Sequence, residues 1–366
     1  MRRREFVFKT ALAGTGLLFA GGLNSCVGTY NPKIINALWN EKLVFDSPDL
    51  ALLMRQLVLC GVIAPSGHNT QPWLFKIAEN KIEILPDFSR RLPVVDSDNR
   101  ELFISLGAAL ENILLSASSF GFTADYEIDD SEGGKIIINL SRTEAEKSPL
   151  LQPMFKRQVT RNVYKKGNIP AQFQKDISGL KGKDTALLFS TEAKTFDTFI
   201  DYVKEGNRLL MKKAGYLDEL KKWIRWNDSE AEEKLDGLYI RALGEPSTAA
   251  WFGKMIFNLS VTEKTQNKKD SEQIRSSSGL LFLFSEDDME HWIEAGRHLE
   301  RSLIQITDAG MKFAFHNQPC QVAQLRKSFA ADLGHKGLMP QAAIRLGYSE
   351  SMPRSPRRKI NDVIVD

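Results

Sequence analysis

Apolar and polar positions alternate along the chain in segments of helical and strand period, so the fold class expected is α+β. Leu50, Leu53, Leu57 and Val58 recur at helical spacing, which predicts a helix over 48–63 with Asp46 or Ser47 as its N-cap. A turn-rich stretch, 64–72, leads into two strand-like runs, 73–78 and 81–85, around a turn at Asn80. Residues 100–120 carry the strongest helical pattern of the first part, closed by Gly121 in the C-cap position. Runs 124–128 and 135–140 read as a hairpin across Gly133-Gly134. Beyond residue 149 the pattern predicts a helix over 153–161, a strand over 185–190, and helices over 193–214 and 216–226. A buried-type strand over 279–284, a helix over 289–309 closed by Gly310, and a last strand over 342–347 precede a basic, proline-containing tail. Residues 262–271 read as a charged, polar loop, and 227–257 fit neither period.

The two long helices align at a fixed offset of 189. Gly107, Leu110, Glu111, Leu114 and Gly121 fall on Gly296, Leu299, Glu300, Leu303 and Gly310. Amphipathic helices share apolar spacing automatically, but not glycines at both ends and a matched glutamate. Glycine inside a helix costs about 1 kcal/mol relative to alanine, so its double use points to close packing of two equivalent helices. The expected organisation is two related halves, 48–148 and 149–366, in pseudo-two-fold relation within one chain. A leader over 1–25 and a linker over 26–47 precede them.

Of 366 residues, 42% are hydrophobic and 26% charged, which excludes a disordered chain, and three cysteines exclude a disulfide scaffold. The net charge of +3 belongs to the start of the chain. Without residues 1–25, which hold Arg2, Arg3, Arg4, Lys9 and Glu5, 45 of the 49 basic and 45 of the 46 acidic residues remain, a formal charge of zero. A basic protein seeking nucleic acid is thereby excluded. The arginines precede an uncharged stretch over 10–23, a secretory pattern too short to span a bilayer of ~30 Å as a helix. Arg3-Arg4-Glu5-Phe6-Val7-Phe8-Lys9 resembles a twin-arginine signal, and Leu23-Asn24-Ser25-Cys26 resembles a lipobox. The expectation is export by the twin-arginine machinery to a periplasmic or membrane-anchored state, the anchor being an acylated Cys26, with no other membrane contact.

Pro65-Ser66-Gly67-His68-Asn69-Thr70-Gln71-Pro72-Trp73 gathers hydroxyl, amide and backbone donors between a helix and a strand. Its order resembles the nitroreductase family, in which a proline-serine pair, an asparagine and Gln-Pro-Trp line the flavin pocket. Three further segments resemble that family: Arg157-Gln158-Val159-Thr160-Arg161, Phe315-His316-Asn317-Gln318-Pro319, and Ile344–Tyr348 followed by Arg354, Arg357 and Arg358. The likeness spans roughly 48–366 and is closest to the family's single-chain, duplicated branch. It implies a nitroreductase-like fold whose two halves mimic the family homodimer, and one FMN between them. Pro65, Ser66, Asn69 and Gln71 are then expected on the isoalloxazine edge or ribityl chain. Arg157, Thr160, Arg161, Arg354, Arg357 and Arg358 are expected around the phosphate, which arginine suits through planar, bidentate donors. Backbone donors near Asn317 and Gln318 would meet flavin N5.

The serine-asparagine-glutamine pattern occurs only in the first half and the Arg157–Arg161 pattern only in the second, so one composite site is expected. The stretch 227–257 has two readings, a lid over the flavin or a packed connection. No protein catalytic residue is implied, and the five histidines make no metal-ligand pattern. Cys60 reads as core and Cys320, beside the N5 loop, as a redox candidate; His291 and His298 read as a solvated helix face.

The function expected is an FMN-dependent oxidoreductase passing hydride through N5 from NAD(P)H to a nitroaromatic, quinone or similar small acceptor. NAD(P)H is scarce outside the cytoplasm, which motivates an alternative, an exported flavin-binding or flavin-sequestering protein with little turnover. A third reading is a flavin-free solute-binding lipoprotein.

Overall fold

A computed structural model describes residues 32–366; the arginine run, the uncharged stretch and Cys26 lie outside them. The first half runs α1 (Leu50–Val62), β1 (Trp73–Ala78), β2 (Lys81–Pro86), α2 (Arg100–Ala117), β3 (Phe122–Asp129) and β4 (Lys135–Arg142). Next come α3 (Leu151–Lys156), α4 (Ala171–Gly179), β5 (Thr185–Ser190), α5 (Ala193–Lys212), α6 (Tyr216–Trp223) and β6 (Ile224–Arg225). They are followed by α7 (Asp228–Lys234), β7 (Leu238–Tyr239), α8 (Ala250–Ser260), α9 (Glu263–Arg275), β8 (Gly279–Ser285) and α10 (Met289–Asp308). The chain closes with β9 (Lys312–Phe315), α11 (Gln318–Gln321), α12 (Ala323–Asp332), β10 (Met339–Gly347) and β11 (Ile364–Val365).

The protein is α+β, organised around the crossing of α2 and α10. A methyl group built on Gly107 would overlap the carbonyl of Ile293, and one on Gly296 would overlap the carbonyl of Ile104. The same offset of 189 separates Gly107 from Gly296 and Ile104 from Ile293, so each helix presents the equivalent surface to the other. Backbones this close exclude any side chain, which explains glycine where helix propensity favours alanine. Among the described residues, Arg100–Phe120 is the one helical stretch long and apolar enough to cross a membrane, and 83% of its apolar window is buried inside the protein.

Two sheets flank this axis, one ordered β11-β1-β2-β4-β3 and the other β5-β8-β10-β9. β8 is buried at all seven positions because both faces are covered. Leu281 and Leu283 pack with Leu299 and Leu303 of α10, while Leu280, Phe282 and Phe284 pack with Phe199 of α5 and Phe329 of α12. β11 crosses back and pairs in parallel with β1 through Phe75–Ile364 and Lys76–Val365, so the arginine-bearing tail is held against the first half.

Several boundaries differ from the sequence reading. The cap of α1 is Asp49, whose carboxylate accepts from the Leu52 amide at 3.2 Å, rather than Asp46 or Ser47. The helix expected over 153–161 stops at Lys156, because the chain turns extended at Arg157 and the Thr160 amide bonds the Phe313 carbonyl at 2.9 Å. Arg157 and Arg161 therefore do not share a helix. The charged segment 262–271 is helical, not a loop: Thr262 and Thr265 form a reciprocal capping box that starts α9. Its few apolar residues conceal a buried side made of Asp270, Gln273 and Ile274. The strand 342–347 is not the last one, since β11 follows the tail. His298 is buried and shares a 2.5 Å bond with Thr185 Oγ1, so the two-histidine face of α10 is not solvated throughout.

Candidate functional site

The loop after α1 is held in an uncommon backbone form. His68, Asn69 and Gln71 have φ of 49°, 54° and 54°, the left-handed region that non-glycine residues rarely adopt and that costs on the order of 1 kcal/mol each. Side-chain bonds maintain it. Ser66 Oγ accepts from the Gln71 amide at 2.9 Å; Asn69 Nδ2 donates to the carbonyls of Gly237 at 3.0 Å and Pro356 at 3.1 Å. Gln71 Nε2 donates to the Leu235 carbonyl at 2.9 Å, and its Oε1 accepts the Arg358 amide at 2.8 Å. Pro65 and Ser66 are half-buried at the start of the loop.

The loop thus joins the tail on one side and residues 235–237 on the other. The Gly237 amide also bonds the Asn69 carbonyl at 3.0 Å. Asp236 anchors that contact by ion pairs to Arg90 and Arg225. The stretch 227–257, which holds α7, β7 and most of α8, covers the loop and also packs into a small cluster with Ile35, Trp226, Tyr239 and Ile240.

Arginines dominate what the tail brings in. Arg357 donates to Asn69 Oδ1 at 2.6 Å and to the Ala64 carbonyl at 3.2 Å, with its Nε left without a partner. Arg354 donates to the carbonyls of Phe155 at 2.9 Å and Arg157 at 3.3 Å. Both guanidiniums lie over the ring of Trp39, at 4.3 Å for Arg354 and 4.7 Å for Arg357, while Trp39 Nε1 donates to the Ser355 carbonyl at 3.0 Å. Trp39 falls in the segment read from sequence as linker, and nothing in its neighbourhood marks it as a clamp for the tail. A cleft of about 370 Å³ opens beside it, lined by Asn36, Lys156, Gln158, Ser351, Met352 and Arg354 among others. Arg358 is engaged by protein: its guanidinium reaches the carbonyls of Gln71, Trp73 and Asp362 and the carboxylate of Asp87.

Arg157 and Arg161 have different surroundings. Arg157 is 2% exposed, donates to the Ile63 carbonyl at 2.5 Å and lies 2.9 Å from Glu300 Oε1. Its Nε–H is not aligned on that oxygen, so the contact is an ion pair rather than a hydrogen bond. Burial pushes the Glu300 carboxyl up to about 7, against the opposing pull of Arg157. Glu300, which the repeat singled out as a matched position, serves as the counter-charge of Arg157. The Arg161 guanidinium, by contrast, has no hydrogen bond or ion pair with any described residue. Burial, with Arg345 nearby, pulls it down to about 10. Burial pulls Arg354 down to about 10 and Arg357 well below its ordinary value, and Arg157 adds to both. Thr160 Oγ1 beside Arg161 is buried and unpartnered.

The loop after β9 is tied to the same region. Arg345 Nε donates to His316 Nε2 at 3.0 Å and its guanidinium reaches the Gln273 carbonyl at 3.4 Å, while Gln273 Nε2 donates to the Arg161 carbonyl at 2.6 Å. Asn317 Oδ1 accepts the Ala343 amide at 2.9 Å. Gln318 Nε2 donates to Asn207 Oδ1 at 3.2 Å and Asp270 Oδ2 at 3.1 Å, and its Oε1 is buried without a partner. Cys320 is 1% exposed and burial pushes its thiol up to about 12, as it does for Cys60, which leaves neither as a ready thiolate.

His68 is the titrating group of the loop. Burial, reinforced by the Arg161 charge, pushes it from 6.5 down to about 4. Its native form is neutral where the unfolded form is charged, so its contribution to stability is present above pH 6.5 and lost as pH falls toward 4. In His68→Asn the stability lost between pH 7 and pH 5 should shrink by about 2 kcal/mol, read from urea unfolding at both values. An unchanged loss would show that the imidazole is not held neutral.

No family model matches the chain. A Mycobacterium tuberculosis protein named "Putative NAD(P)H nitroreductase Rv3131" is 22% identical over 347 residues, covering 87% of this chain and 92% of its own. A second from the same organism, "Putative NAD(P)H nitroreductase acg", is 23% identical over 344 residues, covering 85% and 95%. The chain is similar to nitroreductases. Among solved structures, the FMN-dependent nitroreductase NfnB from Mycobacterium smegmatis in complex with NADPH matches 58% of this chain and 96% of its own, at 13% identity and a TM-score of 0.36.

Proposed function

We propose that the protein is an FMN-dependent oxidoreductase of the nitroreductase type, taking electrons from NAD(P)H and reducing a nitroaromatic, quinone or similar small acceptor. The observation that carries this reading is the excess of guanidinium over carboxylate around the loop and tail, Arg357 being buried and Arg161 and Arg354 half-buried. Among the described residues, Arg161, Arg354 and Arg357 have no carboxylate within ion-pair distance, and the one carboxylate among them, Glu300, is engaged by Arg157. Buried cations without counter-ions are unfavourable unless an anion completes them. An FMN phosphate and flavin edge fit the donors present, and the unpartnered Thr160 Oγ1 and Gln318 Oε1 add a hydroxyl and an acceptor.

When bound, FMN supplies the centre that accepts and donates hydride. Arg161 and Arg357 would hold its anionic end, and the Ser66–Gln71 loop, with its strained backbone already set, would position the heterocycle from the other half. Arg157 supports the site by orienting the Ile63 carbonyl and neutralising Glu300. The tie from Gln318 to Asp270 and Asn207 fixes the loop whose backbone would face the reactive edge. Neutral His68 keeps a further charge out of the pocket. We further propose export through the twin-arginine pathway, with a lipid anchor at Cys26.

The purified protein loaded with FMN should lose its oxidised flavin colour on anaerobic mixing with NADPH and regain it on addition of menadione or nitrofurazone. Flavin that stays oxidised with both NADPH and NADH would reject the reductase reading. It would favour a flavin-sequestering protein, to which the closure of 235–237 over the loop lends support.

A further inference from the structure

Helix α8 (Ala250–Ser260) is held to the body by one side only. Gly253 abuts the Trp226 ring and Phe257 meets the same ring edge-on at 5.9 Å. The opposite side carries Trp251, Phe252, Met255 and Leu259, which are 65%, 38%, 43% and 74% exposed. Trp251, Met255 and Leu259 recur every fourth residue, so with Phe252 they form one continuous apolar face about 100° wide. A contiguous exposed face of large apolar side chains marks an interaction surface.

Its position and charge identify the partner. The described chain begins at a turn, Pro32–Ile35, whose Ile35 is buried in the same cluster of Ile224, Trp226, Tyr239 and Ile240 that α8 covers. The 31 residues outside the structure include the uncharged stretch 10–23 and Cys26, six residues before Pro32. A span of six residues can reach at most about 20 Å, comparable with the length of an 11-residue helix, about 16 Å. The only charged residue of α8 is Lys254, and exposed Lys264 and Lys268 follow on α9. A helix with Trp, Phe and Leu on one face and lysine at its margin suits the interface of an anionic bilayer.

We propose that this face of α8 seats in the interfacial layer of an anionic phospholipid membrane, fixing how the protein lies on the surface to which the Cys26 anchor would attach it. The inference rests on the proposed membrane attachment, and two readouts separate them. The full chain is mixed with vesicles of phosphatidylethanolamine and phosphatidylglycerol, with and without brominated acyl chains. Flotation reports attachment, and tryptophan quenching reports depth. Trp251 is the one exposed tryptophan among the described residues, the other five being buried or half-buried, and 1–31 contain none. Most of the quenching should therefore vanish in Trp251→Phe and fall at least twofold in Met255→Gln/Leu259→Gln. A chain that floats but is quenched equally in Trp251→Phe overturns the seating of α8 and leaves attachment standing. A chain that does not float overturns the attachment and the seating with it. A dimer that Leu259→Gln converts to monomer in sedimentation would assign the face to a second copy and overturn the proposal.

Discussion

Arg157→Met should destabilise the protein by about 3–5 kcal/mol, whereas Arg161→Met should leave the fold intact and weaken FMN binding at least tenfold. The two arginines are four residues apart and alike in sequence, yet the structure gives them opposite surroundings. Removing Arg157 leaves Glu300, at 0% exposure, without its cation, and an uncompensated buried charge carries a penalty of that size. Melting would fall by about 4–7 °C for a chain of this length. Adding Glu300→Gln should restore much of the loss, because the orphaned charge is then gone. The Arg161 side chain has no hydrogen-bond or ion-pair partner to lose among the described residues, so Arg161→Met should keep its melting temperature within about 2 °C. Its loss in FMN titrations follows from about 1.5–3 kcal/mol for a charged hydrogen bond. Equal melting shifts in the two single variants would show that the division of roles is wrong.

The second large effect concerns the helix crossing. Gly107→Ala or Gly296→Ala should each lower stability by about 3 kcal/mol or more, although helix propensity alone predicts a gain of about 1 kcal/mol. The sign therefore decides between propensity and packing. Each new methyl meets a backbone carbonyl, of Ile293 or of Ile104, which cannot rotate aside as a side chain could. The helices must separate, and the apolar contacts of Leu106, Leu110, Leu299 and Leu303 loosen with them. The two substitutions should have similar effects because the sites are equivalent under the repeat. Melting temperatures equal to or above that of the parent chain would refute close packing at this crossing.

The close helix crossing was legible because glycine is unfavourable in a helix and its spacing is matched in the two long helices. The strands were legible where burial alternates, or is complete as in β8. Helix α9 was not, because its buried side is polar: Asp270 and Gln273 leave no apolar period, and only the Thr262–Thr265 cap announces it. The end of α3 was missed because a tertiary bond, from the Thr160 amide to the Phe313 carbonyl, takes the chain out of helix at a place local propensity does not mark. In the site, the sequence picks out the loop and the arginines as a group. It does not sort them, since whether a guanidinium meets Glu300, a carbonyl or nothing depends on contacts made across more than a hundred residues. Trp39 was invisible for the same reason: its partners, Arg354, Ser355 and Arg357, come from the far end of the chain.

The composite site between the halves is tested most directly by the visible absorption spectrum and flavin content of the full-length protein purified after export. The expected result is a flavin spectrum with one FMN per chain, released on denaturation and diminished in Arg161→Met. A protein that stays colourless after incubation with excess FMN, while fully folded, would contradict it.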